Sequence, residues 1–263
     1  MTAVLFQLLR AAAVAALVPL LLLQVSAAPA APGYETGLAS VRKICAELHA
    51  SLPPARQRSV LAEPGLVEHP SPWITPAPAT DGRGEIRLTT GFVDFMNALA
   101  HARALDTRQE QFSTRYVATL GSCENVPPVS SLPLPAEAWS FDTLNRQSSL
   151  FNQTVGALAA VCLAHHYLGH HRKHAAALRS TEGPVPFYTV ATASEWREAV
   201  LKGAKNALDC GMGVEGLCSF YECLERAAPR PAWVAHFLPA KADLSRLRKD
   251  LEKLEKNFFL AGD

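Results

Sequence analysis

The chain has 263 residues, of which 49% are hydrophobic and 19% charged, and its formal net charge is +1. This length allows one large domain or two small ones, and the low charge with ample aliphatic content argues against disorder. A nearly neutral chain without a basic run has no electrostatic footprint for nucleic acid, so we exclude a nucleic-acid partner.

Residues 1–28 have the pattern of a secretory signal peptide. Arg10 precedes an apolar run over 11–23, and small residues follow around Ala27 and Ala28, where a signal peptidase would cut. The alternative is an uncleaved membrane anchor, but the apolar run is shorter than the roughly 20 residues that span a bilayer. We therefore expect cleavage, no membrane span in the mature chain, and a periplasmic or secreted bacterial protein.

The rest of the chain predicts a mainly α protein with a small β element. A helix at 37–52 and a proline-rich loop at 53–82 make up an N-terminal segment over 29–84, and a helical domain covers 85–263. Alternating apolar and polar residues predict a short strand at 85–90. Apolar residues at helical spacing predict further helices, at 92–105, 144–174, 194–210, 214–226 and 243–259.

All six cysteines lie beyond the signal segment, and an exported compartment favours disulfides. The three cysteines of 210–223 are close enough in sequence for a local bridge, and Cys45 with Cys123 is a candidate long-range pair. Cys162 lies within an apolar helical pattern, so we expect a buried thiol there.

Five of the nine histidines lie between positions 165 and 174. His166 and His170 are four residues apart, a spacing that on a helix projects both imidazoles to one side and suits a zinc ion. They also continue an apolar stripe, which predicts that both face inward. His170 and His174 share the spacing, but the basic residues between them indicate that the helix emerges into solvent. The other interpretation is a set of partly buried, hydrogen-bonded histidines on an amphipathic helix.

Several segments, in this order along the chain, have a family resemblance in common. They are EIRLTTGF at 85–92, AVCLAHHYLGHH within 156–171, EWREAVLKGAKNALDCG at 195–211, and the closing segment 233–246. Together they resemble the HtpX-type zinc metallopeptidases, which include the CAAX prenyl endopeptidases and soluble periplasmic relatives. The second segment resembles the stretch around the family's HExxH motif, and the third resembles the helix that supplies another ligand.

The resemblance implies a single-domain zincin-like metallopeptidase fold with zinc as its cofactor. Carried over residue by residue, His166 and His170 take the places of the zinc-binding histidines, and Glu198 or else Glu195 would supply the third ligand. Tyr167 stands where the family has the catalytic Glu that activates water, and a phenol with a pKa of about 10 is a poor base at neutral pH. Acidic residues in a first helical turn also favour the helix dipole without any ligand role.

Three functions follow from these patterns. The first is an exported, divergent zinc-metallopeptidase-like protein that acts on peptide or envelope-protein substrates, with Tyr167 or a loop carboxylate such as Glu182 polarising water. The second is a catalytically inactive pseudoenzyme with a binding or scaffold role in the cell envelope, which the missing motif Glu favours. The third is a plain helical exported domain whose histidines are structural or buffer metal ions.

Overall fold

Helices dominate the computed structural model, which describes residues 32–120, 126–179, 185–227 and 229–260, with side chains from residue 37 onward. The helices are α1 (Pro32–Ser51), α2 (Pro54–Gln57), α3 (Thr90–Leu105), α4 (Phe112–Leu120), α5 (Phe141–Tyr167), α6 (His170–His174), α7 (Ala193–Asp209), α8 (Glu215–Arg226) and α9 (Leu244–Leu260). The strands are β1 (Gly65–Val67), β2 (Ile74–Pro78) and β3 (Gly84–Thr89). A mainly α fold with a small β element is therefore confirmed.

The three strands form one sheet with β3 in the middle. β1 runs parallel to β3, with Leu66 opposite Leu88, and β2 runs antiparallel to β3, with Ile74 opposite the same residue. Ile86 and Leu88 alternate with polar residues and are buried, as the period of two requires. The strand expected at 85–90 is confirmed in β3.

The expectation of a loop throughout 53–82 is wrong, because this segment contains α2, β1 and β2. Its prolines concealed the second strand, since Pro76 and Pro78 both lie within β2. A proline cannot donate to a sheet ladder, but β2 is an edge strand and need not donate on its outer side. The sequence therefore has the composition of a loop where the chain forms the edge of the sheet.

Five of the predicted helices agree with the structure and one does not, and α4 lies in a segment where no helix was predicted. α1, α3, α7, α8 and α9 confirm the expected helices with small shifts at their ends. The helix expected at 144–174 is wrong in its last part, because α5 ends at Tyr167 and α6 begins at His170. The break falls inside the histidine cluster, so it changes how these residues are arranged.

α5 lies at the centre of the hydrophobic core. Its second half is buried, and buried residues of α1, the sheet, α3, α4 and α7 to α9 join the same cluster. α7 approaches closely at Gly203, where a Cβ would stand 2.6 Å from the Val161 nitrogen and 2.8 Å from the Ala160 carbonyl carbon. Glycine there lets α7 pack directly on the backbone of α5, which fixes the helix that carries Glu195 and Glu198.

The five described cysteines are all free thiols, at Cys45, Cys162, Cys210, Cys218 and Cys223. The local bridge expected within 210–223 is therefore not formed, because these thiols do not meet. Cys162 is buried, as its helical pattern indicates. Cys45 is buried as well, and burial raises the pKa of its thiol to about 12. Cys123 and the signal segment 1–28 lie outside the described residues. Among the helices that are described, none has the length and apolar character needed to cross a membrane.

We expect Gly203→Ala to lower the free energy of unfolding by about 1–3 kcal/mol, because the new methyl group would press on backbone rather than on a movable side chain. Urea unfolding of variant and wild type measures the difference. Gly213→Ala is the matched control, since the nearest heavy atoms to a Cβ there are 3.6 Å away. Equal unfolding midpoints for Gly203→Ala and wild type would contradict the close contact between α5 and α7.

Candidate functional site

A turn at Leu168 and Gly169 divides the histidine cluster. Gly169 has φ of 79°, in the left-handed region that a residue without a Cβ adopts at little cost. His166, on the last turn of α5, is thereby separated from His170, the first residue of α6. The two imidazoles do not extend one inward stripe of a single helix, which corrects the expectation drawn from their four-residue spacing.

Across this turn the histidines pair at a spacing of five. The ring centroids of His165 and His170 are 5.2 Å apart, and those of His166 and His171 are 5.0 Å apart. The first pair contacts Tyr188 and the helix α7, whereas His166 contacts the strand β3. The cluster therefore consists of two pairs with different surroundings.

The first pair belongs to a buried polar chain, which consists of Tyr188, His165, His170 and Glu198. The Nδ1 atoms of His165 and His170 are 3.1 Å apart. The Tyr188 hydroxyl lies 3.1 Å from His165 Nε2, and Glu198 Oε2 lies 3.4 Å from His170 Nε2. His165 is 0% exposed, whereas the Glu198 side chain is 52% exposed, so the chain leads from the core to the surface.

A carboxylate can only accept a hydrogen bond, so Glu198 sets the direction of these contacts when both imidazoles are neutral. His170 Nε2 then carries the hydrogen that faces Glu198, which leaves His170 Nδ1 as an acceptor. His165 Nδ1 donates to that acceptor, and the Tyr188 hydroxyl donates to His165 Nε2. With both imidazoles neutral, each of their four ring nitrogens faces a partner.

Electrostatics favours a neutral His165 and a neutral Tyr188. Burial, with the nearby imidazoles of His170 and His166, holds the pKa of His165 well below its usual range. Burial also raises the pKa of the Tyr188 phenol well above its usual value. Phe187 covers His165 edge-on at 4.5 Å between ring centroids, which adds apolar surroundings. A charge on His165 or on Tyr188 would be costly, so these two side chains contribute neutral hydrogen-bond donors and acceptors.

His166 is fixed against the sheet. Its Nε2 donates to the Glu85 carbonyl oxygen at 3.0 Å, and its ring lies on Gly84, where a Cβ would collide with the imidazole. Burial lowers the pKa of His166 to about 4, so this imidazole is neutral at neutral pH. The side chain therefore joins the end of α5 to the first residues of β3.

Glu195 is engaged at the start of α7. It forms a capping box with Thr192, whose backbone N–H donates to Glu195 Oε2 at 2.8 Å. Lys173 Nζ lies 2.6 Å from Glu195 Oε1, and His174 Nε2 lies 3.0 Å from Oε2. Burial raises the pKa of this carboxyl, but these hydrogen bonds outweigh burial and hold the pKa well below its usual range. Glu195 thus fastens α6 to α7.

Tyr167, the residue in the place of the family's catalytic Glu, has a poor environment for a base. Burial raises the pKa of its phenol to about 12, although the Arg56 guanidinium opposes this increase. The Arg56 guanidinium carbon lies 4.2 Å from the Tyr167 ring centroid, a cation–π contact. Deprotonation at neutral pH is therefore less favourable than for a phenol in water.

The four expected zinc ligands do not converge. His170 and Glu198 meet within the buried polar chain, whereas His166 contacts β3 and Glu195 caps α7. Across residues 37–120, 126–179, 185–227 and 229–260, no group of three or more His, Cys, Asp or Glu side chains is placed to hold a metal ion. The described residues therefore do not fit the zinc site that the spacing and the resemblance imply. Glu182, the candidate loop carboxylate, lies outside the described residues.

A groove opens beside the second histidine pair. One cavity of about 300 Å³ is bordered by Gly84, His166 and His171. A second cavity of about 490 Å³ extends along β2. The two cavities adjoin and together form the strand groove, because they share the lining residues Pro78, His171, Leu178 and Arg179.

Sequence reasoning missed several residues of this site. His165 also continues the apolar stripe, three positions after Cys162, and this signal could have identified it as the buried histidine. Tyr188 and Arg179 have no comparable signal, since each reaches the site from an irregular segment between α6 and α7. The β2 side of the groove was hidden by the loop-like composition of 53–82.

Comparisons with known proteins identify no relative. No protein-family model matches the chain. No curated protein and no solved structure matches it either. The resemblance to the HtpX-type metallopeptidases stays a prediction from the quoted segments, so a functional proposal rests on the geometry of the described residues.

We expect the free energy of unfolding to fall as the pH decreases from about 6.5 to about 4, because buried histidines bind protons in the unfolded chain before they do so in the folded one. Burial lowers the pKa of His165, His166 and His171, and His166 reaches about 4. The folded state thus binds fewer protons than the unfolded state within this window. His166 alone accounts for about 3 kcal/mol of the loss at pH of about 4.

Urea unfolding of wild type and His166→Gln at neutral and acidic pH measures this contribution. Glutamine can keep a donor to the Glu85 carbonyl but does not titrate, so the variant should lose less stability on acidification. His69→Gln is the control, since His69 is exposed. The same pH dependence in wild type and His166→Gln would show that His166 is not buried as a neutral imidazole.

Proposed function

We propose that this chain is an exported, non-catalytic binding protein whose ligand lies in the strand groove. The single observation that carries the proposal is the separation of His166 from His170 by the Gly169 turn. It directs one imidazole to the groove and the other to the buried polar chain. Of the functions that the sequence leaves open, this is the pseudoenzyme with a binding role, and export is the expectation from residues 1–28.

The residues expected to perform hydrolysis support a binding role instead. A zinc peptidase needs a group of ligands around one ion and a base that activates its water. Here Tyr167 has its pKa raised to about 12, and Glu195 is held by Thr192, Lys173 and His174. Tyr167 joins α5 to Arg56 of α2, and Glu195 joins α6 to α7, so both residues have structural contacts in place of catalytic ones.

The strand groove has the properties of a preformed ligand site. Its cavities, of about 300 and 490 Å³, lie within the size range of small-molecule pockets. One side is the hydrogen-bonded sheet, and Trp73 on that side is 4% exposed and stacks on His236 at 6.0 Å between ring centroids. A ligand would therefore meet ordered side chains, which reduces the entropy lost on binding.

We expect Thr75→Trp to abolish ligand binding, because Thr75 lines the larger cavity and an indole there would fill it. The untagged mature protein is incubated with a small-molecule extract of the producing cells, dialysed and measured by native mass spectrometry. Wild type should retain a ligand that the Thr75 variant lacks. Ser148→Trp is the matched control, since Ser148 is exposed on α5 away from the groove, and it should retain the ligand.

Two results would contradict this proposal. One is a ligand that Thr75→Trp retains as well as wild type does. The other is peptide hydrolysis by the purified protein that is lost on removal of zinc and in both His166→Ala and His170→Ala, which would restore the peptidase as the function.

A further inference from the structure

We propose that the ligand of the strand groove is an amphiphilic anion, with a phosphate or carboxylate head and an apolar chain. The inference rests on the proposed function, because it names the class of ligand for the same groove. It is drawn from the uneven distribution of charge along the groove, whose two cavities differ in their described lining residues.

The smaller cavity is the cationic end. Arg83, Arg172 and Arg179 line it, and its described lining contains no Asp or Glu. The charge of Arg83 is compensated, since Arg83 Nη2 lies 2.7 Å from Asp81 Oδ2. Among the described residues, Arg172 and Arg179 form no ion pair, so two guanidinium groups at this end have no anionic partner within the described lining. Guanidinium groups bind carboxylate and phosphate oxygens through paired hydrogen bonds, which fits an anionic head there.

The imidazoles at this end line the cavity but do not contribute positive charge. Burial lowers the pKa of both His166 and His171, so neither adds a positive charge at neutral pH. His166 also uses its Nε2–H on the Glu85 carbonyl oxygen. The attraction for an anion therefore comes from Arg172 and Arg179, and those two residues are the ones to test.

The larger cavity is the apolar end. Its apolar lining residues come from β1, β2, the residue before β2 and the segment between α6 and α7, and they are Val67, Trp73, Pro76, Ala77, Pro78, Leu178 and Val185. The cation Arg87 also borders this cavity, but its Nε lies 2.5 Å from Glu85 Oε1, so its charge is compensated. A hydrocarbon chain would lose contact with water there, and the other cation at this cavity, Arg179, would pair with the anionic head of the same ligand.

One molecule can occupy both ends at once. Arg179 borders the two cavities, together with Leu178 and His171, so the cationic end passes directly into the apolar end. A head held by Arg172 and Arg179 would leave its chain at the opening of the larger cavity. The groove thus joins a cationic end and an apolar end. A purely polar ligand would use only the first, and a purely apolar ligand only the second.

The test is isothermal titration calorimetry of the full mature chain with four probes, all present as monomers: octyl phosphate, octanoate, 1-octanol and inorganic phosphate. We expect each amphiphilic anion to bind at least about ten-fold tighter than 1-octanol and inorganic phosphate. The variant R172Q/R179Q should bind the two anions about ten-fold more weakly and 1-octanol as wild type does. Higher ionic strength should weaken binding of the anions only.

R246Q/K249Q is the matched control, because it removes two positive charges from the exposed face of α9 and should leave all four affinities unchanged. Circular dichroism and thermal melting establish that each variant is folded. If 1-octanol binds as tightly as the anions, or if R172Q/R179Q binds them as wild type does, the anionic head is refuted while a groove ligand stands. If no probe binds wild type, the ligand class is refuted. Anion binding that Thr75→Trp leaves intact would refute the groove as the site of both proposals.

Discussion

The arrangement of the site depends on the left-handed turn at Gly169. A continuous helix would align His166 with His170 on one face, whereas the turn ends α5 one residue after His166 and begins α6 with His170. Because α5 is buried in the core, its last residues have fixed positions. The direction of the chain after the turn then determines where the side chains of α6 lie. Positive φ costs glycine little because glycine has no Cβ, so this single residue allows the two histidine pairs to separate.

The two sides of the turn differ in how they accommodate polar groups. On the core side, Tyr188, His165 and His170 are buried in the polar chain, whose carboxylate end reaches solvent at Glu198. On the side of α6 that faces α7, Glu195 stays charged because cationic and amide donors surround it. Neutral groups occupy the interior and compensated charges hold the helix junction, whereas Arg172 and Arg179, which form no ion pair with another described residue, border the groove.

Much of the fold was accessible from sequence because periodicity reports burial. Helical spacing located α1, α3 and α7 to α9, and alternation located β3. The outer strands were not accessible, since Pro76 and Pro78 suit an edge strand as well as a loop. For the site, the sequence identified the histidine cluster but not its division, because a glycine within an HxxxH spacing is compatible with both a helix and a turn. Groove residues such as Arg179 and Thr75 meet only through the tertiary fold.

The central claim, that His166 and His170 have separate partners and share no metal ion, is tested most directly by ¹⁵N imidazole NMR of the untagged mature protein with and without zinc. Hydrogen bonding to the Glu85 carbonyl requires the Nε2–H tautomer of His166, and the contact with Glu198 requires Nε2–H on His170. We expect Nε2–H on both residues and unchanged spectra after zinc is added. Zinc-dependent shifts at both residues, with one ion bound per chain, would contradict it.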